Sequence, residues 1–175
     1  MQKLRRNFSP TAAPINNEDC NCGSYALNLL DWFTPFERNE ADEEGDWDER
    51  FQHIIDVHLV TKSKEDTIKL VLEEDVEFML RSLPELRRIQ SPEEGETNER
   101  VIAYRLMVIL NEYGEVADTD FHFRVRINGK WSEKCGSCPI QDCCFDEDFT
   151  SPWIDGSLKY EGEIAYFAMP EPLEI

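Results

Sequence analysis

The sequence predicts an α+β fold, with helices first and an antiparallel sheet second. Three observations carry this. Apolar residues recur at helical spacing up to Pro84, the composition then turns strand-like from Val101, and Asn128-Gly129 is the strongest short signal for a β-hairpin. The 175 residues, 41% of them hydrophobic, suit a single domain over 1–175 with a real core.

Residues 1–18 contain Pro10 and Pro14 without periodicity and read as an arm leading into residues 19–33. There Ala26, Leu29, Leu30 and Phe33 fall at i, i+3, i+4 and i+7, and Tyr25 and Trp32 widen the stripe. Ser24, Asn28 and Asp31 form the polar line, so the spacing predicts a helix buried on most sides, with Cys22 in its first turn and Pro35 beyond its end. Residues 37–50 are crowded with carboxylates around Gly45 and read as a solvated acidic loop. Asp42, Glu44, Asp46 and Asp48 alternate like calcium ligands, but no terminal Glu follows at the required spacing.

From Trp47, the residues Phe51, Ile54 and Ile55 give a second helical face; His53 and His58 in this helix stand five apart and so not on one face, which argues against a shared metal. Both are expected at the surface or its boundary. Ser63 and Asp66 form a capping pattern for a third helix, whose face is Ile68, Val71, Leu72, Val76, Met79 and Leu80. Residues 91–100 are a second acidic loop.

Residues 101–110 form one apolar run with Arg105 its only charge, as expected of a strand covered on both faces. After a turn at Tyr113-Gly114, residues 120–127 alternate strictly. Phe121, Phe123, Val125 and Ile127 take one face; Asp120, His122, Arg124 and Arg126 take the other. Asn128-Gly129 then returns the chain into residues 130–135. Residues 139–152 read as irregular, and 164–168 as the last strand.

A formal charge of −19, from 37 acidic and 18 basic residues, disfavours nucleic acid and anionic membranes and suits a basic partner. Lys3, Arg5 and Arg6 precede no apolar stretch, and no run approaches a membrane span, so a cytoplasmic location is expected. The six cysteines gather at positions 20–22 and 135–144, which is unlike a secreted disulfide framework.

Chemistry points to two stretches. A cysteine at a helix N-terminus meets unpaired N–H groups that stabilise a thiolate or an oxyanion, which suits Cys22 as a nucleophile. In a two-residue hairpin, residue 127 pairs with 130, 124 with 133 and 122 with 135. His122 then has Cys135 opposite and Glu133 diagonal, with Arg124, Arg126 and Trp131 further along that face. A carboxylate on one imidazole nitrogen fixes the tautomer and raises the basicity of the other. The competing reading of this face is an Arg124–Glu133 ion pair with His122 as bystander. Cys135 competes with Cys22 for the nucleophile but lies mid-strand, without a helix terminus.

Asn-Cys-Gly-Ser-Tyr-Ala-Leu-Asn (21–28), Asp-Phe-His-Phe-Arg (120–124) and Gly-Lys-Trp-Ser-Glu-Lys (129–134) resemble small papain-like cysteine hydrolases of bacteria and phages. The order of cysteine on a helix, histidine on a strand and polar residue on the next strand is similar to that of the papain and NlpC/P60 superfamily. The resemblance implies a papain-like domain with the nucleophile helix packed on the sheet. It implies Cys22 as nucleophile, His122 as general base and then acid, and Glu133 as the orienting residue. Glu133 stands where such relatives more often carry His, Asn, Asp or Gln. Asn21 or Asn17 would donate to an oxyanion hole completed by the Cys22 N–H.

Cys135, Cys138, Cys143 and Cys144 invite a zinc reading, but adjacent cysteines rarely both reach one ion, and a disulfide or free thiols are the alternative. The expected activity is therefore amide hydrolysis or acyl transfer on a protein or peptide through a thioester, without a cofactor. Its rival is a non-catalytic acidic inhibitor that imitates nucleic acid or docks on a basic protein.

Overall fold

The computed structural model describes residues 20–37, 43–136, 138–142 and 151–171. The predicted arm 1–18, with Asn17, and the pair Cys143 and Cys144 lie outside these residues. Among the described residues there are three α-helices and eight strands, helices first and an antiparallel sheet after them. The α-helices are α1 (Cys22–Leu27), α2 (Glu43–Thr61) and α3 (Lys64–Ser82). A six-stranded sheet runs in the order β1 (Arg87–Ile89), β8 (Ile164–Pro170), β2 (Glu99–Leu110), β3 (Val116–Ile127), β4 (Lys130–Lys134) and β5 (Ile140–Asp142). A separate two-stranded hairpin pairs β6 (Trp153–Asp155) with β7 (Leu158–Tyr160). No described helix is long and apolar enough to cross a membrane.

The sheet has two different faces. One carries Tyr104 and Leu106 of β2, Phe121, Phe123 and Val125 of β3 and Phe167 of β8 into the main core, under the helices. The other carries Val101, Ala103, Trp131 and Ala168 into a smaller cluster that Trp153 and Tyr160 of the β6–β7 hairpin complete. Alternation along β3 therefore sends odd-numbered aromatics to the helices and the even-numbered polar residues to the hairpin.

Three helical expectations need adjustment. The helix expected to run from Cys22 towards Pro35 stops at Leu27. Asn28 there adopts the left-handed conformation (φ 54°) and its N–H turns back to the carbonyls of Ser24 and Tyr25. Leu29 and Phe33 still enter the core, but Leu30 is exposed, because the apolar pattern is satisfied by an irregular segment instead. The acidic loop 37–50 is partly helical, since α2 begins at Glu43 and carboxylates favour the first turn of a helix. His58 is buried, with its two ring nitrogens 2.9 Å from the Thr67 hydroxyl and the Gly114 carbonyl. Ser63 caps α3 as its pattern predicts, accepting from the Asp66 N–H at 3.3 Å.

Between α2, α3 and β2 the helix-side core encloses one ion pair. Arg50 Nη2 lies 2.5 and 2.6 Å from the two Asp75 carboxylate oxygens, and the Tyr104 hydroxyl donates to Asp75 at 2.5 Å. Burial pushes the Asp75 carboxyl up to about 6, against the opposing pull of Arg50 and Tyr104.

Candidate active site

The β3–β4 hairpin has the register its turn dictates: Ile127 pairs with Lys130, Arg126 with Trp131 and Arg124 with Glu133. Asn128 (φ 50°) and Gly129 (φ 79°) both take the positive φ that a type I′ turn requires. The ladder ends at Arg124–Glu133, and β4 itself ends at Lys134. His122, the next residue on that face of β3, is therefore not covered by β4, and Cys135 follows the strand instead of belonging to it. Here the helix side of the sheet can reach the other face.

Cys22 arrives from α1. Asn21 holds the start of that helix. Its Oδ1 accepts from the Ser24 N–H and hydroxyl at 3.0 Å and from the Phe33 N–H at 3.2 Å, and its Nδ2 donates to the Phe33 carbonyl at 2.6 Å. The Ser24 hydroxyl also lies against the Asp31 carbonyl, so its one proton serves either oxygen. These bonds tie the irregular segment after α1 back to its first turn. At the other end, the buried Arg100 donates to the carbonyls of Tyr25 and Ala26 at 3.2 and 3.1 Å and pairs with Glu171. The Tyr25 hydroxyl reaches Ser132 of β4 at 2.6 Å. Gly23 lets α1 sit close to the sheet: a Cβ there would lie 2.8 Å from the Phe33 ring and 3.3 Å from that of Phe123.

The result is a cluster from three separate segments. His122 has both Cys22 and Cys135 within hydrogen-bonding reach, and its Nε2 lies 3.0 Å from Glu133 Oε2. Nδ1 is the ring nitrogen that Glu133 does not engage. Arg124 Nε donates to the same Glu133 oxygen at 2.7 Å, so the ion pair and the imidazole contact coexist. Burial works to lower the His122 pKa, yet the hydrogen bonds to Cys135, Cys22 and Glu133 prevail and hold it well above the usual imidazole range. Burial likewise works to raise Glu133, but His122 and Arg124 outweigh it and hold the carboxyl at about 2. The group thus sets a thiol beside an imidazole that has a carboxylate on its far side, the arrangement a cysteine–histidine couple uses.

Cys22 and His122 line a cavity of about 210 Å³, and Cys135 is not among its lining residues. Access to this space distinguishes the two thiols better than the helix does, because six residues supply free N–H groups but little macrodipole. Asn21 lines the cavity, with its Oδ1 taken by the cap and one of its two Nδ2 hydrogens by the Phe33 carbonyl, so its second Nδ2 hydrogen and the first-turn backbone N–H groups are the donors near Cys22. Asp120 lies on the cavity wall, accepting from the Phe121 N–H at 2.8 Å and the Tyr160 hydroxyl at 2.7 Å. Trp131 is buried in the hairpin-side cluster, beneath the Arg126 guanidinium, and takes no part in the cavity.

For a metal, His122, Glu133 and Cys135 bring their ligand atoms within 4.8 Å of one another. These donors differ from the four-cysteine set that the sequence invites but whose spacing argues against it: Cys138 is exposed and belongs to no metal group among the described residues. Among those residues Cys20, Cys22, Cys135 and Cys138 are free thiols.

The β6–β7 hairpin is the component that sequence reasoning missed, within a stretch read as irregular up to residue 152 and left unassigned after it. Its Tyr160 ring lies 5.3 Å from His122 and its Trp153 ring 6.1 Å, while Arg124 stacks over Trp153 at 4.5 Å. A signal was present: Gly156-Ser157 is a two-residue turn between Trp153-Ile154 and Leu158-Tyr160. These three-residue strands fall below the length at which alternation can be read. Comparison with family models, curated proteins and solved structures finds no match for the chain, so the chemistry is read from its own side chains.

Proposed function

We propose that this protein is a cysteine-dependent amide hydrolase or acyl transferase, with Cys22 as nucleophile, His122 as general base and acid, and Glu133 as the orienting carboxylate. The observation that carries the reading is the meeting of Cys22, His122 and Glu133 beside a cavity, from segments about a hundred residues apart. On this reading the Cys22 sulfur attacks the amide carbonyl and His122 protonates the leaving amine. Water then attacks the thioester, giving up its proton to His122, and the thiol is released. The oxyanion would rest on the N–H groups of the first turn of α1. A papain-like arrangement, a protein or peptide substrate and action in the cytoplasm belong to the same proposal. It invokes no cofactor.

The rival reading, a non-catalytic acidic protein docking on a basic surface, draws on the −19 charge. The rate of Cys22 alkylation by a neutral reagent between pH 4 and 9, beside that of Cys138 in the same molecule, separates the two. The hydrolase reading expects Cys22 to react faster across this range, with a pH dependence that changes in His122→Ala. A Cys22 profile like that of Cys138 would sink it.

A further inference from the structure

The cavity at Cys22 has a chemical character that the Cys–His couple does not require. Two half-exposed indoles, Trp32 and Trp47, stand on its wall together with two carboxylates, Asp120 and Asp155, and the Tyr160 ring. Among its described lining residues there is no lysine or arginine. Trp47 is held in place by stacking on Phe121, with ring centroids 6.1 Å apart and planes 4° from parallel, and by an edge contact with Phe36.

The charges there are unevenly matched. The His122 imidazolium has Glu133 at 3.0 Å, and Arg124 lies over Trp153, outside the cavity wall. Asp120 has two neutral hydrogen-bond partners, the Phe121 N–H and the Tyr160 hydroxyl. Neither partner is charged, so a cation in the cavity would offer this carboxylate an attraction that they do not. Indole faces with carboxylates behind them attract ammonium and guanidinium groups, through the ring quadrupole and through Coulomb attraction in a space with little water. At about 210 Å³ the cavity is smaller than the roughly 300 Å³ at which small-molecule sites begin, and suits one side chain.

We propose that this cavity receives the cationic side chain of a lysine or arginine, bound between Trp32, Trp47, Asp120 and Asp155 next to the Cys22 thiol. The substrate implied is a basic segment of a protein, an assignment that rests on the hydrolase reading. The cation site itself does not. A surface of net charge −19 would also draw such a segment in, through its long-range field.

Three methanethiosulfonates of similar size test this: one bearing a trimethylammonium group, one a sulfonate and one neutral. Their rates at Cys22 are followed by mass spectrometry at fixed pH and 0.15 M salt, with the exposed Cys138 as internal reference for the general acidity of the protein. The cation-to-anion rate ratio at Cys22 is expected to exceed that at Cys138 by about tenfold. It should fall towards the Cys138 value in Asp120→Asn/Asp155→Asn, and partway in Trp32→Leu. A ratio equal to that at Cys138, or one unchanged in the folded variants, overturns the cation site. If the double variant does not fold, Asp155→Asn alone, at a partly exposed position, gives the same comparison with a smaller shift. The neutral reagent reports on the Cys–His couple separately. A slow, uniform neutral rate would therefore sink the hydrolase reading while the ratio still decides the cation site.

Discussion

Two carboxylates, Asp75 and Glu133, are withdrawn from water on opposite faces of the sheet, and each accepts from an arginine and from a second donor. Their surroundings make them opposites. Asp75 is enclosed by α2, α3 and β2, its oxygens taken by Arg50 and Tyr104, and burial drives its carboxyl up to about 6. Glu133 stays at about 2, because His122 and Arg124 together outweigh its burial. The first pair joins elements of the fold. The second ends at a cavity with the Cys22 thiol on its wall. A buried ion pair therefore suggests chemistry when one partner can change its protonation next to open space, not merely because it is buried.

The sharpest way to break the comparison is to remove the imidazole. His122→Ala is expected to slow Cys22 alkylation at pH 7 by about 10²-fold or more, whereas Asp75→Asn leaves it unchanged. Stopped-flow alkylation of the two variants gives both rates. Equal rates in His122→Ala and wild type would reduce the site to an ordinary ion pair.

The two carboxylates should also tilt the stability curve in opposite directions. Glu133 has a lowered carboxyl pKa, so its contribution is present above about pH 4.5 and is lost as pH falls towards 2. His122 has a raised pKa, so its contribution is full below about 6.5 and is lost as pH rises through its folded value. Their pairing is therefore strongest between those limits. Asp75, raised to about 6, contributes most below about pH 4 and loses that contribution as pH rises through 6. Urea unfolding from pH 3 to 8 should show Glu133→Gln costing about 3 kcal/mol near pH 6 and little near pH 3. The cost of Asp75→Asn should shrink as pH rises. Parallel curves would erase the distinction between the two faces.

Arg124 and Gly23 refine the assignment of roles. If Glu133 orients His122, Glu133→Gln slows Cys22 alkylation and shifts its pH profile, while Arg124→Ala affects stability more than rate. Identical alkylation profiles for wild type and Glu133→Gln would remove Glu133 from the site. Gly23→Ala must push α1 off Phe33 and Phe123, with an expected loss of about 1 to 3 kcal/mol and a slower Cys22. A crystal structure of that variant with α1 unmoved would contradict this. Tyr104→Phe should have the smallest effect, about 1 kcal/mol in unfolding free energy and none on the thiol.

How much of this was legible depends on length and locality. The β3–β4 register followed from Asn128-Gly129 alone, because a two-residue turn fixes every later pair, and with it the side of the sheet that His122 and Glu133 share. Cys22 could be placed in a first turn because the apolar stripe of Tyr25, Ala26 and Leu29 begins just after it, while the Asn21 cap that fixes this start was not read. The length of that helix could not be read. Leu29 and Phe33 obey helical spacing yet are buried by a segment clamped by Asn21 and Arg100, and Arg100 is remote in sequence. The same limit hid the aromatic lid of the site, since Trp153 and Tyr160 belong to strands of three residues.

The order of the sheet has a consequence for how the protein matures. β8, the last strand, lies between β1 and β2, both of which precede it by a long stretch of chain. During synthesis the β2–β3–β4 meander can close as soon as it leaves the ribosome, since its pairings are local. β1 has no neighbour until β8 arrives, and until then Arg100, which holds the end of α1, lacks its partner Glu171. The anchorage of α1 is thus completed only when β8 joins the sheet. A nascent chain would carry His122 and Glu133 in register well before Cys22 is fixed against them.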